Sequence, residues 1–295
     1  MPPSGLLNLN KPSGMTSREV VDCVLRVGGR VKAGHAGTLD PLATGVLVVC
    51  VGVATRLIEY VHRTTKHYTA VFLLGRASPT EDVSGDVVEL SSPPIPTLQQ
   101  IAAAGAALTG PIQQRPPAFS AIKVQGRRAY ELARRGKQVE LAPRTVMVHR
   151  LEVESYAYPE LRLRVECGSG TYVRSLGRDL AESLGTAAVM SQLVRTAVGN
   201  FRLDDAADPA ALTRENWTDC LLPPLRAVEM LPRIALSEAE LARIRSGQSI
   251  ERSDLPQGHE PAEIAAIAPE GRLAAILTSR GAGLWGPVHN LPGEG

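Results

Sequence analysis

The sequence predicts an α+β fold, in which a large body of interspersed strands and helices precedes a small β-rich module. Short β-branched apolar runs alternate with segments of helical periodicity along the body. The 295 residues, 44% of them hydrophobic, can bury one large core or a large and a small one. From about Leu231 the pattern changes to a short helix and a hairpin, which the proline-rich segment 221–232 joins to the body.

The first predicted elements are a strand, a helix and a buried strand. Residues 5–11 predict a short strand, and Thr16 or Ser17 can cap a helix that ends at Gly28-Gly29. The run 46–53 is too short for a useful helix and rich in β-branched residues, so it predicts a buried strand. The turn-rich loop GHAGTLDPLATG leads into that strand. The helix is indicated by apolar residues at helical spacing, namely Val20, Val21, Val24 and Leu25.

The remaining elements follow from the same signals. Strict alternation of apolar and charged residues at 161–167 predicts a strand of a sheet that is covered on one face. Ser237 and Glu240 stand at capping-box spacing, and Pro-Glu-Gly at 269–271 marks a hairpin turn. Up to Gly110, the predicted order is a helix at 54–63, a strand at 67–75, a loop at 76–87 and a helix capped by Thr97. After Gly110 we expect a strand, a turn at Gln125-Gly126, a short basic helix, and strands at 144–155 and 161–168. The last predicted elements are a helix at 171–185, a helix and then a strand at 187–203, a helix at 235–247 and a hairpin at 262–281.

Several classes of protein are disfavoured by the sequence. No stretch approaches the roughly 18 uninterrupted apolar residues that cross a bilayer, and the N-terminus lacks the basic and apolar run of a signal peptide, so we expect a soluble, cytoplasmic protein without a membrane partner. The cysteines are widely spaced and form no CxxC pair, which favours reduced core thiols over disulfides or zinc ligands. They are Cys23, Cys50, Cys167 and Cys220.

Common catalytic and cofactor motifs are missing from the sequence. There is no GxSxG elbow, no HxxxH, no GxxxxGK[ST] cradle and no GxGxxG that opens a helix after a strand. A hydrolase therefore lacks a nucleophile paired with a base, and we expect neither a metal nor a nucleotide cofactor.

The formal net charge of +2 conceals an asymmetry. Residues 1–200 contain 23 Lys and Arg against 16 Asp and Glu, whereas residues 201–295 contain 9 against 14. The stretch from Arg115 to Arg150 holds nine basic and two acidic residues, enough for a patch that attracts phosphates. Arginine outnumbers lysine, however, as it does in proteins of GC-rich genomes, and basic runs are usually solvated faces. Charge alone leaves both interpretations open.

The loop 34–45 contains the strongest candidate for chemistry. Three glycines and a proline make it tight, and such a loop can hold the Asp40 carboxylate at the end of a buried strand. An Asp before a proline is also a common turn residue that bonds its own backbone. His35 has the same ambiguity between packing and catalysis. From the residues alone, both alternatives stay open for each side chain.

The segments LLNLNKPSGMTS and GHAGTLDPLATGVL resemble the N-terminal motif and the catalytic loop of TruB-type tRNA pseudouridine synthases. These enzymes isomerise the uridine at position 55, in the T loop of tRNA. Further matches follow in family order, so the resemblance covers about residues 5–203. They are KHYTAVFLLG, RPPAFSAIKVQGRRAYELARRG, CGSGTYVRSLGRDLAESLG and QLVRTAVGNF.

The resemblance implies a fold and two domains. We expect a mixed, largely antiparallel central sheet with flanking helices, the pseudouridine synthase fold, and a small β-rich PUA-like C-terminal domain. The expected boundaries are 1–228 for the catalytic domain with its T-arm-binding insertion, and 229–295 for the C-terminal domain. The acidic balance of the latter argues against a strong grip on phosphates.

The resemblance also implies roles for individual residues. Asp40 matches the essential catalytic carboxylate, which attacks the ribose C1′, adds to C6 of the uracil or abstracts a ribose proton; all three routes stay open, and all need the ionised form. Arg174 matches the arginine that pairs with this carboxylate, and a neighbouring cation favours ionisation. Lys11, with Pro12, resembles a motif that supports the active-site loop.

Other matched residues line the base pocket or contact the RNA. Tyr68 matches the tyrosine that stacks on the flipped uridine, Tyr172 and Leu193 match other pocket positions, and His35 matches a histidine that fills the space left by moved loop bases. Core packing is the alternative role, above all for Leu193. The basic insertion would contact phosphates of the T-arm through Lys123, Arg127, Arg128, Arg134 and Arg135.

The sequence departs from the family pattern after Gly75. The usual RTDTxDxxG reads RASPTEDVSG here, with Ala77 and Pro79 at two usually polar positions, although Asp82 and Gly85 remain. We expect an enzyme that acts as a monomer on the tRNA T-arm without a cofactor or protein partner. The alternative is a tRNA-binding or tRNA-folding factor that keeps the scaffold without catalysis.

Overall fold

The described residues form a large mixed sheet, a five-stranded sheet near the C-terminus and two small two-stranded sheets. The structure is a computed structural model that describes residues 3–120, 122–124, 127–129, 132, 141–252, 254–255 and 263–291. Its strands are β1 (Gly5–Lys11), β2 (Ala33–His35), β3 (Thr44–Val51), β4 (Lys66–Leu74), β5 (Arg76–Ala77), β6 (Val88–Glu89), β7 (Gly110–Gln114), β8 (Lys123–Val124), β9 (Arg127–Arg128), β10 (Arg144–Ala157), β11 (Glu160–Cys167), β12 (Ala188–Val198), β13 (Phe201–Arg202), β14 (Arg233–Ala235), β15 (Ile250–Glu251), β16 (Glu263–Ile267), β17 (Leu273–Gly281) and β18 (Leu284–Asn290).

The helices flank these sheets. Short 3-10 turns occupy Gly52–Leu57, Leu203–Asp205, Pro209–Ala211 and Pro224–Val228. The α-helices in the described part of the chain are α1 (Ser17–Gly28), α2 (Ile58–Arg63), α3 (Leu98–Ala107), α4 (Val173–Ser183) and α5 (Glu238–Arg245).

The large sheet is mixed but largely antiparallel, which confirms the expected α+β fold. Its strand order is β1-β3-β12-β4-β11-β10-β7, with β2 paired to β3 and β13 paired to β12. The pair β3–β12 is parallel, and there Gly45 lies opposite Arg195. This pairing brings the end of the loop 34–45 against the middle of β12.

Most predicted elements are confirmed, and their physical signals can be seen in the structure. Thr16 caps α1 with a complete capping box, as Thr97 and Ser237 do for α3 and α5. On β11 the alternation is real, because Leu161 and Leu163 are buried whereas Arg164 is exposed. The first half of the predicted helix at 54–63 is a 3-10 turn that continues into α2.

The prediction of a helix and then a strand at 187–203 is wrong. This segment forms β12 followed by the short β13. β12 lies between β3 and β4 in the sheet, and apolar residues on both of its faces are buried, among them Val189 and Met190. A strand covered on both faces loses the alternation of period two, so its pattern is not distinguishable from that of a short buried helix.

Gly177 allows α4 to pack closely against the large sheet. A Cβ added at Gly177 would lie 2.0 Å from the ring of Phe72, which is buried on β4. Leu176 and Leu180 on the same helix join Phe72 in one apolar cluster. The close approach fixes the start of α4, which carries Tyr172 and Arg174, over the large sheet.

The second sheet packs onto the first through shared apolar residues. Its order is β14-β16-β17-β18-β15, and β16–β17 is the predicted hairpin. Ile276 and Leu291 lie in one buried cluster with Val46 and Val48 of β3. Whether the chain divides into domains at residue 229 stays a prediction.

The structure bears on two further expectations, that the cysteines are reduced core thiols and that no segment spans a membrane. All four cysteines are free, and Cys50 and Cys167 are buried, which confirms core thiols at these two positions. Burial raises the pKa of the Cys167 thiol to about 11. Among the described residues, no helix is both long and apolar enough to span a bilayer.

Candidate active site

The loop that carries Asp40 is held from outside by the start of α1. Ser17 accepts a hydrogen bond from Leu39 N at 2.8 Å and donates one to Leu39 O at 3.1 Å. Gly14 N donates to Pro41 O at 2.8 Å, and Ala43 N donates to Asp40 O at 3.0 Å. The backbone of Asp40 therefore belongs to a fixed turn, whereas its side chain keeps 36% of its surface exposed.

The Asp40 carboxylate pairs with a buried arginine rather than with its own turn. Arg174 Nε donates to Asp40 Oδ2 at 2.9 Å, and the arginine side chain is only 4% exposed. Asp82 Oδ2 lies 3.8 Å from the same Nε. The carboxylate therefore has a fixed cationic partner while part of its surface stays exposed, which is what a reacting group needs.

Arg174 is itself positioned by two carbonyl groups. Its Nη1 donates to Thr80 O at 2.6 Å and its Nη2 to Phe119 O at 3.0 Å. All three guanidinium nitrogens are thus occupied, so the plane of the guanidinium has one orientation. The departures from the family pattern at 77 and 79 do not disturb these contacts, because the loop contributes a backbone carbonyl here.

Tyr172 stands at the N-cap of α4 and is held by two neighbours. The buried amide of Gln114 accepts from Tyr172 N at 2.8 Å and donates to Tyr172 O at 3.1 Å. The Arg144 guanidinium lies 5.0 Å from the centroid of the Tyr172 ring, within the range of a cation–π contact. Sequence reasoning did not identify Gln114 or Arg144, because both act across the fold.

Tyr68 and Leu193 lie in the apolar cluster that also contains part of the Asp40 loop. Leu39 and Ala43 of the loop are members of this cluster, and the half-buried Tyr68 packs against it. Burial raises the pKa of the Tyr68 hydroxyl, which therefore stays protonated near neutral pH. The structure thus brings Asp40, Arg174, Tyr68 and Leu193 into one region.

Arg195 is the residue of this region that sequence reasoning missed. It is 1% exposed and donates to Val46 O at 2.7 Å, Gly37 O at 3.1 Å and Thr38 O at 3.4 Å. Its positive charge also lowers the pKa of the Tyr68 hydroxyl, against the larger opposite effect of burial. One buried arginine therefore ties both ends of the Asp40 loop to β12. The available signal was an arginine within the apolar run of β12.

Gly45 permits this arrangement. Its φ is +101°, and a Cβ there would lie 2.2 Å from Arg195 O. Both the backbone conformation and the close approach of β3 to β12 require glycine.

Lys11 lies under the loop as a fully buried amine. Its Nζ donates to Pro12 O at 2.9 Å, to Met15 O and to Pro41 O at 3.3 Å. Burial lowers the pKa of Lys11 to about 8, although the nearby Asp40 raises it. The contacts are those of a support for the loop, as the sequence resemblance implies.

His35 lies at the edge of the region on β2. Its Nδ1 is buried and has no hydrogen-bond partner within the part of the chain that the structure describes. Burial lowers the pKa of the imidazole, and the positive charge of Arg195 lowers it further. His35 is therefore neutral near pH 7.

Lys66 was not singled out by the sequence and is also buried. Its Nζ donates to Ser169 Oγ at 2.9 Å and to the carbonyls of His62 and Thr64. These contacts connect the start of β4 with the turn that precedes α4. Burial lowers the pKa of Lys66 to about 8.

The structure describes the backbone of three of the five predicted RNA-contacting residues. The backbone of Lys123 pairs antiparallel with that of Arg128, and the backbone of Val124 with that of Arg127. The predicted turn at 125–126 lies outside the described residues. Arg134 and Arg135 lie outside the described residues. The basic patch stays a prediction.

Within the described residues, no group of three or more His, Cys, Asp or Glu could hold a metal ion.

Comparison with known proteins identifies the family. The model of the N-terminal domain of TruB family pseudouridylate synthases matches residues 25–173. The tRNA pseudouridine synthase B of Arthrobacter sp. (strain FB24) is 42% identical over 99% of both chains. That of Dehalococcoides mccartyi (strain ATCC BAA-2266 / KCTC 15142 / 195) is 40% identical over 97% of this chain and 95% of its own.

Solved structures agree with this match. A chain of the crystal structure of a Cbf5-Nop10-Gar1 complex superposes with a TM-score of 0.70 at 27% identity, covering 95% of this chain and 79% of that one. A chain of a second structure, of an H/ACA RNP bound to a substrate RNA containing 2′-deoxyuridine, superposes with a TM-score of 0.70 at 26% sequence identity. The match covers 94% of this chain and 78% of that one. With a family model that matches half of its length and relatives at about 40% identity along nearly all of it, this chain belongs to the TruB family of pseudouridylate synthases.

Proposed function

We propose that this protein isomerises a uridine of tRNA to pseudouridine, and that its target is the uridine at position 55 of the T loop. The observation that carries the proposal is the Asp40–Arg174 pair at 2.9 Å, placed beside the apolar cluster of Tyr68 and Leu193 in a member of this family. The isomerisation replaces the bond between C1′ and N1 of the uracil by a bond between C1′ and C5. C5 loses a proton and N1 gains one, so the product has the same atoms and oxidation level as the substrate, and the reaction consumes no oxidant, reductant or co-reactant.

Asp40 is the proposed catalytic group. Attack on C1′, addition to C6 and abstraction of a ribose proton each begin from the ionised carboxylate, to which Arg174 Nε donates a charge-assisted hydrogen bond. The exposed part of the carboxylate is available to the nucleotide, whereas its backbone is fixed in the turn. Arg195 and Lys11 hold that turn from the other side.

The uracil must leave its stack in the T loop to reach Asp40. Flipped bases are held between aromatic and apolar side chains, and Tyr68 and Leu193 offer such a surface. Tyr172 contributes a second ring, whose position Gln114 and Arg144 support. We assign His35, which is neutral near pH 7, to the space that the moved loop bases leave.

The T-arm is the proposed docking element. The residues up to 200 carry the excess of positive charge, and the basic insertion supplies phosphate contacts that fix register without reading sequence. The reaction takes place where tRNA is found, in the cytoplasm, and the protein acts as a monomer. The C-terminal module is assigned as PUA-like, with a minor share in binding because of its acidic balance.

A pair of RNA substrates tests this proposal. A T-arm hairpin transcript and the same hairpin with cytidine at position 55 are incubated with the purified protein, and pseudouridine is mapped by nucleotide. We expect pseudouridine at position 55 of the first hairpin and none in the second. Tight binding of both hairpins without any pseudouridine would favour the tRNA-folding factor and contradict the enzyme.

A further inference from the structure

Glu81 holds a backbone conformation that side chains rarely adopt. Its φ is +62°, in the left-handed region, although it is not a glycine. Such a residue persists only where its surroundings impose the conformation. Its backbone is bonded on both sides, because Glu81 N donates to Ser78 O at 3.0 Å and Met190 N donates to Glu81 O at 3.0 Å.

The side chain of Glu81 points to α4 and pairs with two of its residues. Ser175 Oγ donates to Glu81 Oε2 at 2.7 Å, and Arg178 Nη1 donates to Glu81 Oε1. The Glu81 side chain is 13% exposed and that of Arg178 is 12% exposed. The pair is therefore largely withdrawn from solvent, where a charge contact is much less screened than on the surface.

Arg178 repeats, one helical turn later, the bridge that Arg174 makes. Arg174 connects α4 to Thr80 O and to Phe119 O. Arg178 connects α4 to Glu81, the next residue after Thr80, and to Arg115 O at 2.8 Å, in the segment that contains Phe119. Both arginines thus join the same two segments, 78–82 and 115–119, to one helix. Arg174 additionally reaches Asp40.

From this geometry we propose that Glu81 and Arg178 are positioning residues that hold the Thr80 and Phe119 carbonyls in place, and thereby keep Arg174 on Asp40. The inference rests on the proposed function, since Arg174 matters through the reaction at Asp40. Two of the three hydrogen bonds of Arg174 go to these carbonyls. A shift of either segment therefore moves Nε away from the carboxylate, and a displacement of about 1 Å at a reacting group can cost on the order of 100-fold in rate.

The pair is tested in single-turnover experiments on the T-arm hairpin. We expect Glu81→Ala to slow pseudouridine formation about 10- to 100-fold while the affinity for the hairpin changes less than about twofold. Glu81→Gln keeps an acceptor for Ser175 and should recover part of the rate. The control is Glu89→Ala, which removes the exposed ion pair with Arg76 at the other end of the same loop and should leave the rate unchanged.

A double-mutant cycle separates positioning from general support of the fold. If Glu81 acts through Arg174, Glu81→Ala should cost less than about twofold in the background of Arg174→Lys. An equal loss in both backgrounds, or a wild-type rate for Glu81→Ala, would overturn the inference.

Amide hydrogen exchange gives a second readout that does not depend on activity. The amides of Met190 and Val83 bridge the loop and β12 at 3.0 Å, and they should exchange faster in Glu81→Ala than in Glu89→Ala. Equal exchange in the two variants would show that Glu81 does not fix the loop. If wild type makes no pseudouridine at all, the proposed function fails, and the exchange comparison still decides whether the pair holds the loop.

Discussion

The contact between Gly177 and Phe72 makes the position of α4 open to a direct test. Gly177→Ala adds one methyl group, whose carbon would lie 2.0 Å from a ring carbon of Phe72 and 2.3 Å from a second. Carbon atoms in contact normally stay about 3.5–4.0 Å apart, so helix and ring must separate by about 1.5 Å. Phe72 lies on a strand paired on both sides, by β11 and β12, so α4 is the element that moves.

The expected loss of stability is modest, whereas the expected loss of rate is large. Overpacking in a core costs about 1–3 kcal/mol, and alanine returns up to about 1 kcal/mol through its helix propensity. The net loss of about 1–2 kcal/mol lowers the melting temperature by a few degrees. Arg174 lies one turn before Gly177, so the same shift stretches its 2.9 Å bond to Asp40 beyond hydrogen-bonding distance. We expect pseudouridine formation to slow on the order of 100-fold.

Gly105→Ala is the matched control. Gly105 is a buried glycine of α3, and a Cβ there would lie 2.9 Å from Cδ2 of Leu151, the far end of a flexible side chain. This helix carries none of the candidate site residues, so Gly105→Ala should leave the rate unchanged. Calorimetry and single-turnover assays on both variants check the prediction. Gly177→Ala with a wild-type rate and a raised melting temperature would refute the reasoning.

Three further changes test other parts of the site. Arg195→Met leaves the carbonyls of Gly37, Thr38 and Val46 without their donor. Urea unfolding should therefore show that the free energy of unfolding falls by about 3 kcal/mol or more. A fall of less than about 1 kcal/mol would contradict the role of Arg195 in supporting the loop. Gly45→Ala should abolish soluble folded protein. Gly14 also has a positive φ, but the space around its Cβ is open, so Gly14→Ala should lower the free energy of unfolding by only about 1 kcal/mol. Equal effects of the two changes would mean that the close approach to Arg195 is not what requires glycine at position 45. The pKa of Lys66 is about 8 in the folded protein and 10.5 as its ordinary value, so between these pH values the unfolded chain binds more protons and stability rises with pH, by up to about 1 kcal/mol per pH unit. Between pH 8 and pH 9.5 the free energy of unfolding should rise less for Lys66→Met than for wild type. An identical rise in the two proteins would contradict the lowered pKa of the buried Lys66 amine.

Local signals predicted the elements that have one exposed face or a cap. The caps at Thr16 and Ser237 and the alternation on β11 depend on neighbours in the sequence, and the structure has a cap at Thr16, one of the two expected residues, and the other two features where they were expected. β12 was misread, because both of its faces are covered and the informative contrast between apolar and polar positions is lost.

The site could be predicted only in part. Composition and spacing left Asp40 undecided between a turn residue and a reactive group, and the resemblance to the family supplied Arg174. The structure adds their direct contact across 134 positions of sequence. Arg195 and Glu81 were missed because the partners of their side chains come from other elements of the fold, and no local pattern marks a residue whose side-chain contacts are all long-range.

The central claim is that the ionised Asp40 carboxylate performs the reaction. Its most direct test is single-turnover pseudouridine formation by Asp40→Asn, which keeps the shape of the side chain and removes its charge. Asp22→Asn, which weakens an exposed ion pair with Arg18, is the control. We expect Asp40→Asn to bind the T-arm hairpin as wild type does and to form no detectable pseudouridine, while Asp22→Asn retains the wild-type rate. Appreciable product from Asp40→Asn would contradict the claim.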